Sequence, residues 1–560
     1  MKLQIKYILI LLVIAACVVS NSCTKLDEKV YDKIVEEQFT PQQSDVWRII
    51  GSAYTPMAWP IFMGWCSYFD TQEECSDILV VPGRPGPSWI DDGKWKRMHQ
   101  HTWSDAGPTE MTATWNSIYT EGIYNCNFAI HETDSLLTIG TGKPVEFQRA
   151  MRDSIIAEVK VVRAFYYWIL MDMYGNVPIV TVYGNTTLPL QSTRKEVYDF
   201  IISEIKNNMP LLSNTIGGSY YGRFNKYAAQ ALLARIYLNS EIYINEAKWD
   251  DCISYCDSII SSNNYILDPD YKTPFSTNND KDSKELIYAI PQGNDYGKQK
   301  QGWFYIMFKS LHEQNKKTYN FGGDGPWSCG GFCAMPQFIN TYDKNDIRLK
   351  LSWIKGQQYS LGGDSLFCTI DKNNVKNHKP LNFSNTLTNI DLSGEDEGYR
   401  TGKYEIAVGS NEQLANDFPV FRYAEILMMK AECLLRKGDA EGAAVLVTEV
   451  RKRCFDNPAD AVVTGDTLLK GSRYNYGIAE EGVLPAPGGG VDIQYGRFLD
   501  ELGWEFAIEG HRRIDLIRFG VFHTKEWFNH SADADDHTCI FPIAASILQT
   551  NPNLKQNPGY

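Results

Sequence analysis

The residues best suited to chemistry in this chain are aromatic rings set among short polar side chains, in long stretches with neither helical nor strand periodicity. Trp89, Trp95 and Trp103 fall within residues 70–105. Trp303, Tyr305, Trp327, Trp353 and Tyr399 fall in or beside three later stretches, residues 261–300, 302–346 and 356–413, all rich in Asn, Asp, Gly and Ser. Loops of that length inside a compact protein are uncommon and usually functional or disordered, and the interspersed aromatics argue against disorder. Indole and phenol rings stack on the apolar C–H faces of sugars. Amides, carboxylates and guanidinium groups bond the hydroxyls. Such groups work best when held in advance on a rigid frame, and the pattern points to a carbohydrate-binding surface.

Motifs for bond-making chemistry fail on spacing. Gly140-Thr141-Gly142-Lys143-Pro144 lacks the phosphate-loop spacing, and Pro144 removes an amide where a helix should begin. His312-Glu313 has no second His at the zinc-protease spacing, and no G-x-S-x-G elbow is present. Carboxylate pairs abound (Glu73/Glu74, Asp91/Asp92, Asp535/Asp536, Glu395-Asp396-Glu397), but adjacency in sequence does not place two carboxylates across a cleft. The dense charge of Glu509-Gly510-His511-Arg512-Arg513-Ile514-Asp515 reads as a structural salt-bridge network. Cys329 and Cys333 lie in a Gly-rich loop without further ligands at metal spacing. No metal and no cofactor is expected.

The elements that must carry these loops are helical. Residues 146–174 place Ile155, Val159, Val162, Tyr166, Ile169 and Met173 three or four apart, then stop at Gly175 with Pro178 just beyond. Residues 225–238 mix Ala228, Ala231 and Ala234 with large apolar residues, and a second helix over 250–260 completes a hairpin of about 34 residues, the tetratricopeptide period. Residues 422–436, a Lys437-Gly438-Asp439 turn and residues 440–453 repeat the figure. Such repeats need stacked neighbours to bury their faces, which implies further, more degenerate units.

The chain has 560 residues, 43% hydrophobic and 22% charged, enough for a large core, with 32 Tyr, 25 Phe and 14 Trp. Its net charge of −14 without a basic stripe argues against nucleic acid and against a basic membrane-surface patch. Lys2 and Lys6 precede an apolar run over residues 7–19, too short to span a bilayer and suited to a signal peptide, so residues 1–22 are excluded from the fold. No other stretch is apolar and long enough to span. The 13 cysteines do not make a disulfide framework in so long a chain. Cys252 and Cys256, one helical turn apart, and Cys433 and Cys454, in helical patterns, read as buried free thiols.

Several segments together resemble the SusD/RagB family of outer-membrane nutrient-binding lipoproteins of the Bacteroidetes. They are SCTKLDE (22–28), AEVKVVRAFYYWILMDMYGNVPIV (157–180), GRFNKYAAQALLARIYL (222–238), FRYAEILMMKAECLLRKGD (421–439), WEFAIEGHRRIDLIRFG (504–520) and FPIAASILQTNPNLKQNPGY (541–560). The resemblance implies a mainly α fold, with about four tetratricopeptide hairpins packed against a loop-rich ligand-binding half. The expected organisation is a lipoprotein signal peptide over 1–22, an N-terminal region over 23–265 and a C-terminal region over 266–560, the last two forming one compact fold.

The resemblance also implies a non-catalytic, surface-exposed lipoprotein that binds oligosaccharide or polysaccharide and passes it to a SusC-like TonB-dependent transporter. Cys23 would be the acylated first residue after cleavage. Cys17 competes, since small residues precede it too, but cutting there would leave Val18-Val19 in the tether. Two or more acyl chains anchor a protein stably without a spanning helix. The segment over 76–104 looks like a family ligand loop and makes Trp89 the first stacking candidate, with Trp103 and Trp115 assigned to the core. Trp303, Trp327, Cys333, Arg400, Asp70 and Asp77 are the other glycan-binding candidates. The alternatives are a peptide- or glycopeptide-binding member of the same family, or a glycoside hydrolase.

Overall fold

The structure, a computed structural model, describes residues 43–63, 67–86, 88–106, 110–138, 149–292, 309–321, 330–410, 414–479 and 489–560. The signal segment, Cys17, Cys23, Trp303, Trp327 and Cys329 lie outside the described residues.

Eight long helices among the described residues form four packed pairs. These are α1 (Gln43–Pro56) with α2 (Tyr124–Thr138), α3 (Arg149–Tyr174) with α4 (Arg194–Asn208), α5 (Lys226–Leu238) with α6 (Trp249–Ser262), and α7 (Tyr423–Arg436) with α8 (Ala440–Arg451). The pairs stack in order, α2 on α3, α5 on both α3 and α4, and α6 on α7. The last three pairs are joined by connections short enough to make hairpins, whereas residues 57–123 separate α1 from α2. Two shorter helices follow, α9 (Gly496–Phe506) and α10 (Arg512–Arg518).

Local chemistry explains these boundaries. The six spaced apolar residues of α3 are all buried, and the helix stops where Gly175 takes a left-handed φ of 67°. The Asn225 side chain accepts from the Ala228 amide at 3.0 Å and starts α5. Thr193 and Glu196 form a reciprocal capping box at α4. Gly438, with φ 89°, turns the chain from α7 into α8, where the Asp439 carboxylate accepts from the Gly442 amide at 2.9 Å. Ala228, Ala231, Ala234 and Ala431 are fully buried, which lets neighbouring helices approach closely.

The other half of the molecule is irregular chain pinned by short antiparallel ladders. β1 (Leu79–Val80) pairs with β3 (Cys333–Ala334), and β2 (Leu286–Ile290) with β6 (Phe418–Arg422). β4 (Trp353–Ile354) pairs with β5 (Arg400–Thr401). β6 runs directly into α7, so the loop half is welded to the helical array through backbone. One apolar cluster, from Ile50 to Ile547, lies between the halves. In it the Phe165 ring of α3 meets Phe62, Trp168, Phe224 and Phe421 with centroids 5.5–6.4 Å apart.

Beside that apolar core lies a buried ionic one. Arg422 binds Glu285 (2.7 Å), Glu505 (2.8 Å) and Glu509 (2.6 Å). Arg453 and Arg348 add contacts to Glu505 at 2.7 and 3.1 Å. Arg513 reaches Asp172, and Arg518 reaches Glu432 and Asp515. The dense charge of residues 509–515 is therefore structural, joining α10 to α3, α7 and the strands. The nine cysteines among the described residues are all free thiols, and eight of them are buried, including Cys252, Cys256, Cys433 and Cys454.

Candidate functional site

The site is built on the chain between two short helices, Tyr68–Glu73 and Lys94–His99. Ser67 caps the first helix, with its hydroxyl on the Asp70 amide and the Asp70 carboxylate returning to the Ser67 amide at 3.3 Å. The chain then pairs through β1 and enters the loop bearing Trp89. Arg84 clamps that loop from within. Its Nε donates to the Gly330 carbonyl at 3.0 Å, its Nη1 to the carbonyls of Glu397 at 2.9 Å and of Gly394, and its Nη2 to Cys333 Sγ at 3.2 Å. Two backbone bonds, Gly83 to Ile390 and Ser393 to Gly83, hold the loop against residues 390–393. Gly83 has no room for a side chain, since a Cβ would stand 2.1 Å from the Asp391 carbonyl oxygen.

Trp89 is half-buried, with its indole N–H donated to Asp91 Oδ2. The same oxygen accepts from the buried Trp95 indole at 2.7 Å. Asp91 reaches both rings because Asp91, Asp92 and Gly93 all take left-handed φ (44°, 55° and 76°), folding the chain back sharply before Lys94. The Lys309 ammonium lies 4.3 Å from the Trp95 ring centroid and 5.9 Å from that of Trp89. It also bonds both Asp70 oxygens, at 3.1 and 3.2 Å, and lies 3.9 Å from Glu74. Burial pushes the Asp70 carboxyl above its ordinary range against the pull of Lys309; burial first, and then Asp70 beside it, push Glu74 well above its own.

Three loops meet here. Lys309 follows residues 301–308 and Gly330 follows residues 322–329, and the Gly331 amide donates to the Lys309 carbonyl at 2.6 Å. Lys309 and Gly330 thus lie together, the first beside the Trp89 ring and the second on Arg84. Beside the same loop, the Gly86 amide donates to Asn374 Oδ1 at 2.9 Å. The hairpin carrying Asn374 lines a cavity of about 480 Å³ with Lys317, Phe367, Asn377 and His378. In it the Phe367 and His378 rings stack at 4.0 Å.

Four of the residues expected to contact ligand are instead internal braces. Asp77 is fully buried, bonded to Arg512 by both oxygens (2.6 and 2.9 Å) and to the Tyr476 hydroxyl (2.8 Å). Asp70 is fully buried under Lys309. Cys333 is buried in β3 with its sulfur on Arg84. Arg400 is buried, its guanidinium donating to the carbonyls of Glu395, Glu397 and Gly398 at 2.8–3.0 Å over the Phe383 ring. Side chains without exposed surface offer nothing to a sugar, so these four are corrected to structural roles, although Arg400 Nε finds no partner of its own among the described residues. Trp89 alone among the described candidates presents a ring. Trp103 and Trp115 are core, the former donating to the Tyr560 hydroxyl at 2.8 Å. Sequence reasoning missed Lys309, which has no distinguishing neighbours, and Asp91, whose place between Trp89 and Trp95 was the available signal.

A stacked array of helix pairs packed against an irregular half pinned by short ladders defines a helical-repeat scaffold with a loop-built half. Residues 284–560 match the family model described as the SusD family, and residues 26–238 match one described as starch-binding associating with outer membrane. The chain belongs to the SusD/RagB family. It is 24% identical over 439 residues to the starch-binding protein SusD of Bacteroides thetaiotaomicron, covering 72% of each chain. Among solved structures, a SusD superfamily protein of Parabacteroides distasonis superposes with a TM-score of 0.66 at 19% identity, covering 93% of this chain and all of that one. Surface glycan-binding protein A of Bacteroides thetaiotaomicron, solved in complex with laminarihexaose, superposes with a TM-score of 0.65 at 20% identity, covering 92% and 99%. The fold is the mainly α SusD fold.

Proposed function

We propose that this protein binds oligosaccharide without cleaving it, on the face floored by Trp89, and delivers it to a SusC-like TonB-dependent transporter in the outer membrane. The observation that carries the reading is the half-buried Trp89 indole, fixed by Asp91 where three loops meet. A ring held in one orientation stacks on a sugar face at little entropic cost. Trp303 and Trp327 complete the proposed aromatic set. The family assignment and the laminarihexaose complex of a structural neighbour support the ligand class. The engagement of Asp70 and Asp77 in internal ion pairs supports binding over hydrolysis.

In this reading the protein is a surface-exposed lipoprotein acylated at Cys23. No helix among the described residues is long and apolar enough to cross a membrane. Cys23→Ala releases the protein into the soluble fraction; release by Cys17→Ala instead moves the anchor to Cys17. Screening the purified protein against a glycan array and a peptide pool tests the ligand class. Retention of glycans, lost in Trp89→Ala without appearance of reducing ends, supports the proposal. Binding of peptides alone, or release of reducing ends by the wild type, overturns it.

A further inference from the structure

Away from the loop face, the chain leaving the short helix Lys94–His99 meets the turn Trp527–His530 and its continuation to Asp533. His101 Nδ1 lies 2.8 Å from Asp533 Oδ2, and His101 Nε2 lies 2.9 Å from the Cys75 carbonyl oxygen. His530 is fully buried; its ring makes one contact of hydrogen-bond type, with the His99 backbone, and its nitrogens have no other polar partner among the described residues. One donor atom from each of His101, His530 and Asp533 can be chosen so that all lie within 4.8 Å of one another.

Two features of this cluster ask for a cation. A carbonyl oxygen only accepts, so His101 Nε2 carries a proton and its Nδ1 lone pair faces the Asp533 carboxylate. Two lone pairs at that separation repel unless a proton or a metal ion sits between them. The buried His530 ring, with the His99 backbone beside one nitrogen, leaves its other nitrogen dehydrated and without a partner among the described residues, a loss that a ligand bond would make good.

We propose that His101 Nδ1, His530 and Asp533 form a site for a divalent transition-metal ion of the zinc type. Two imidazoles and one carboxylate suit Zn²⁺, whereas Ca²⁺ and Mg²⁺ select oxygen donors. The Cys75 carbonyl is the outer partner that fixes the His101 tautomer, as ligating histidines require. Both rings are held by stacking, His101 on Phe522 at 4.2 Å and His530 on Trp527 at 3.8 Å. Bonds of about 2.0–2.2 Å in a tetrahedron keep donors about 3.3–3.6 Å apart. The His101–Asp533 pair therefore opens by roughly half an ångström and His530 closes in by about 1 Å. Metal entry releases the proton shared by that pair. The Asp533 side chain, whose Oδ2 also accepts from the Thr538 hydroxyl at 2.6 Å, is 8% exposed and is the edge of the cluster nearest solvent. The bound ion ties the chain after the short helix Lys94–His99 to the segment Trp527–Asp533.

The test uses the full purified chain, stripped with a chelator and titrated with Co²⁺ and with Zn²⁺. The proposal expects one ion per chain, visible-region Co²⁺ bands of a nitrogen–oxygen tetrahedral site, and a higher melting temperature with Zn²⁺. H530Q and D533N each weaken binding by more than about 100-fold. H537Q, which alters a half-buried histidine paired with Asp535, leaves binding unchanged. Because H530Q can misfold, circular dichroism accompanies each variant. If H530Q does misfold, D533N, which keeps a hydrogen-bonding group of the same shape, decides between the outcomes. Absence of stoichiometric binding by the wild type, or equal binding by a folded D533N, overturns the proposal and leaves a plain His101–Asp533 ion pair.

Discussion

Arg512 and Asp77 stand 435 positions apart in the sequence and share a two-point ion pair, Nε to Oδ1 at 2.6 Å and Nη2 to Oδ2 at 2.9 Å, with no exposed surface on Asp77. The Tyr476 hydroxyl bonds the same carboxylate, and Arg512 Nη1 donates to the Leu499 carbonyl in the first turn of α9. The pair fastens the chain just before β1, from which the Trp89 loop departs, to the helices that close the ionic core.

Asp77→Ala leaves a buried guanidinium without its counterion, which costs about 3–5 kcal/mol. Urea denaturation is expected to show that loss. Glycan affinity of the molecules that remain folded is expected to stay within about two-fold of wild type, because Asp77 is fully buried in its pair with Arg512. A large affinity loss with unchanged stability would restore Asp77 to the binding surface.

The contrast between Asp77 and α5 shows what was legible in the sequence. α5 was readable to within one residue, because apolar spacing and an Asn cap are local signals that decide a local structure. Asp77, Asp70 and Arg400 were misplaced because a charged residue in a polar stretch looks solvent-facing until its partner is known. Those partners, Arg512, Lys309 and the carbonyls of residues 395–398, are either distant in sequence or not side chains at all. That the Trp89 ring stays only half-buried was legible, because a Trp on an otherwise polar loop has few apolar neighbours in sequence to bury it. The loops that complete its face fold against non-local partners, which no local pattern encodes.

On the proposed reading, Asp91 acts on ligand through Trp89, whose indole N–H it accepts. Asp91→Ala frees the indole to rotate, and re-ordering one such side chain costs about 0.5–1.5 kcal/mol, or roughly 2- to 12-fold in Kd. Asp91→Asn keeps an acceptor for both indoles and is expected to recover most of that loss. Calorimetric titration with the best glycan from the array checks it. Equal weakening by both variants would mean that the Asp91 charge, and not its acceptor geometry, matters.

Glu505 sets an acid limit on the fold. Although burial raises its pKa, the surrounding Arg453, Arg422, Arg348 and Lys403 lower it further, to about 2 from the ordinary 4.5. A depressed carboxyl contributes stability that is complete above about pH 4.5 and is lost as pH falls toward 2. The span corresponds to about 3 kcal/mol. Glu505→Gln is expected to be destabilised at neutral pH, and its stability should fall less steeply than that of the wild type between pH 4.5 and 2. Parallel curves for the two proteins would place the acid limit elsewhere.

Glu73 works in the opposite direction. Its Oε1 accepts from the Gly510 amide at 2.7 Å and the His511 amide at 3.4 Å, but its Oε2 has no hydrogen-bond partner among the described residues. Burial pushes its carboxyl from 4.5 up to about 7, despite those backbone bonds. Below pH 4.5 the group is neutral in both states and costs nothing. Between 4.5 and 7 the unfolded chain releases the proton while the folded protein keeps it, so stability falls as pH rises, and above 7 the full penalty stands. Gln has the shape of the protonated acid and cannot ionise. Glu73→Gln is therefore expected to match wild type near pH 4.5 and to exceed it by about 1–3 kcal/mol at pH 8. Chemical denaturation at the two pH values decides the matter: equal destabilisation at both would mean that the Oε1 bonds to Gly510 and His511, and not the buried charge, set the contribution of Glu73.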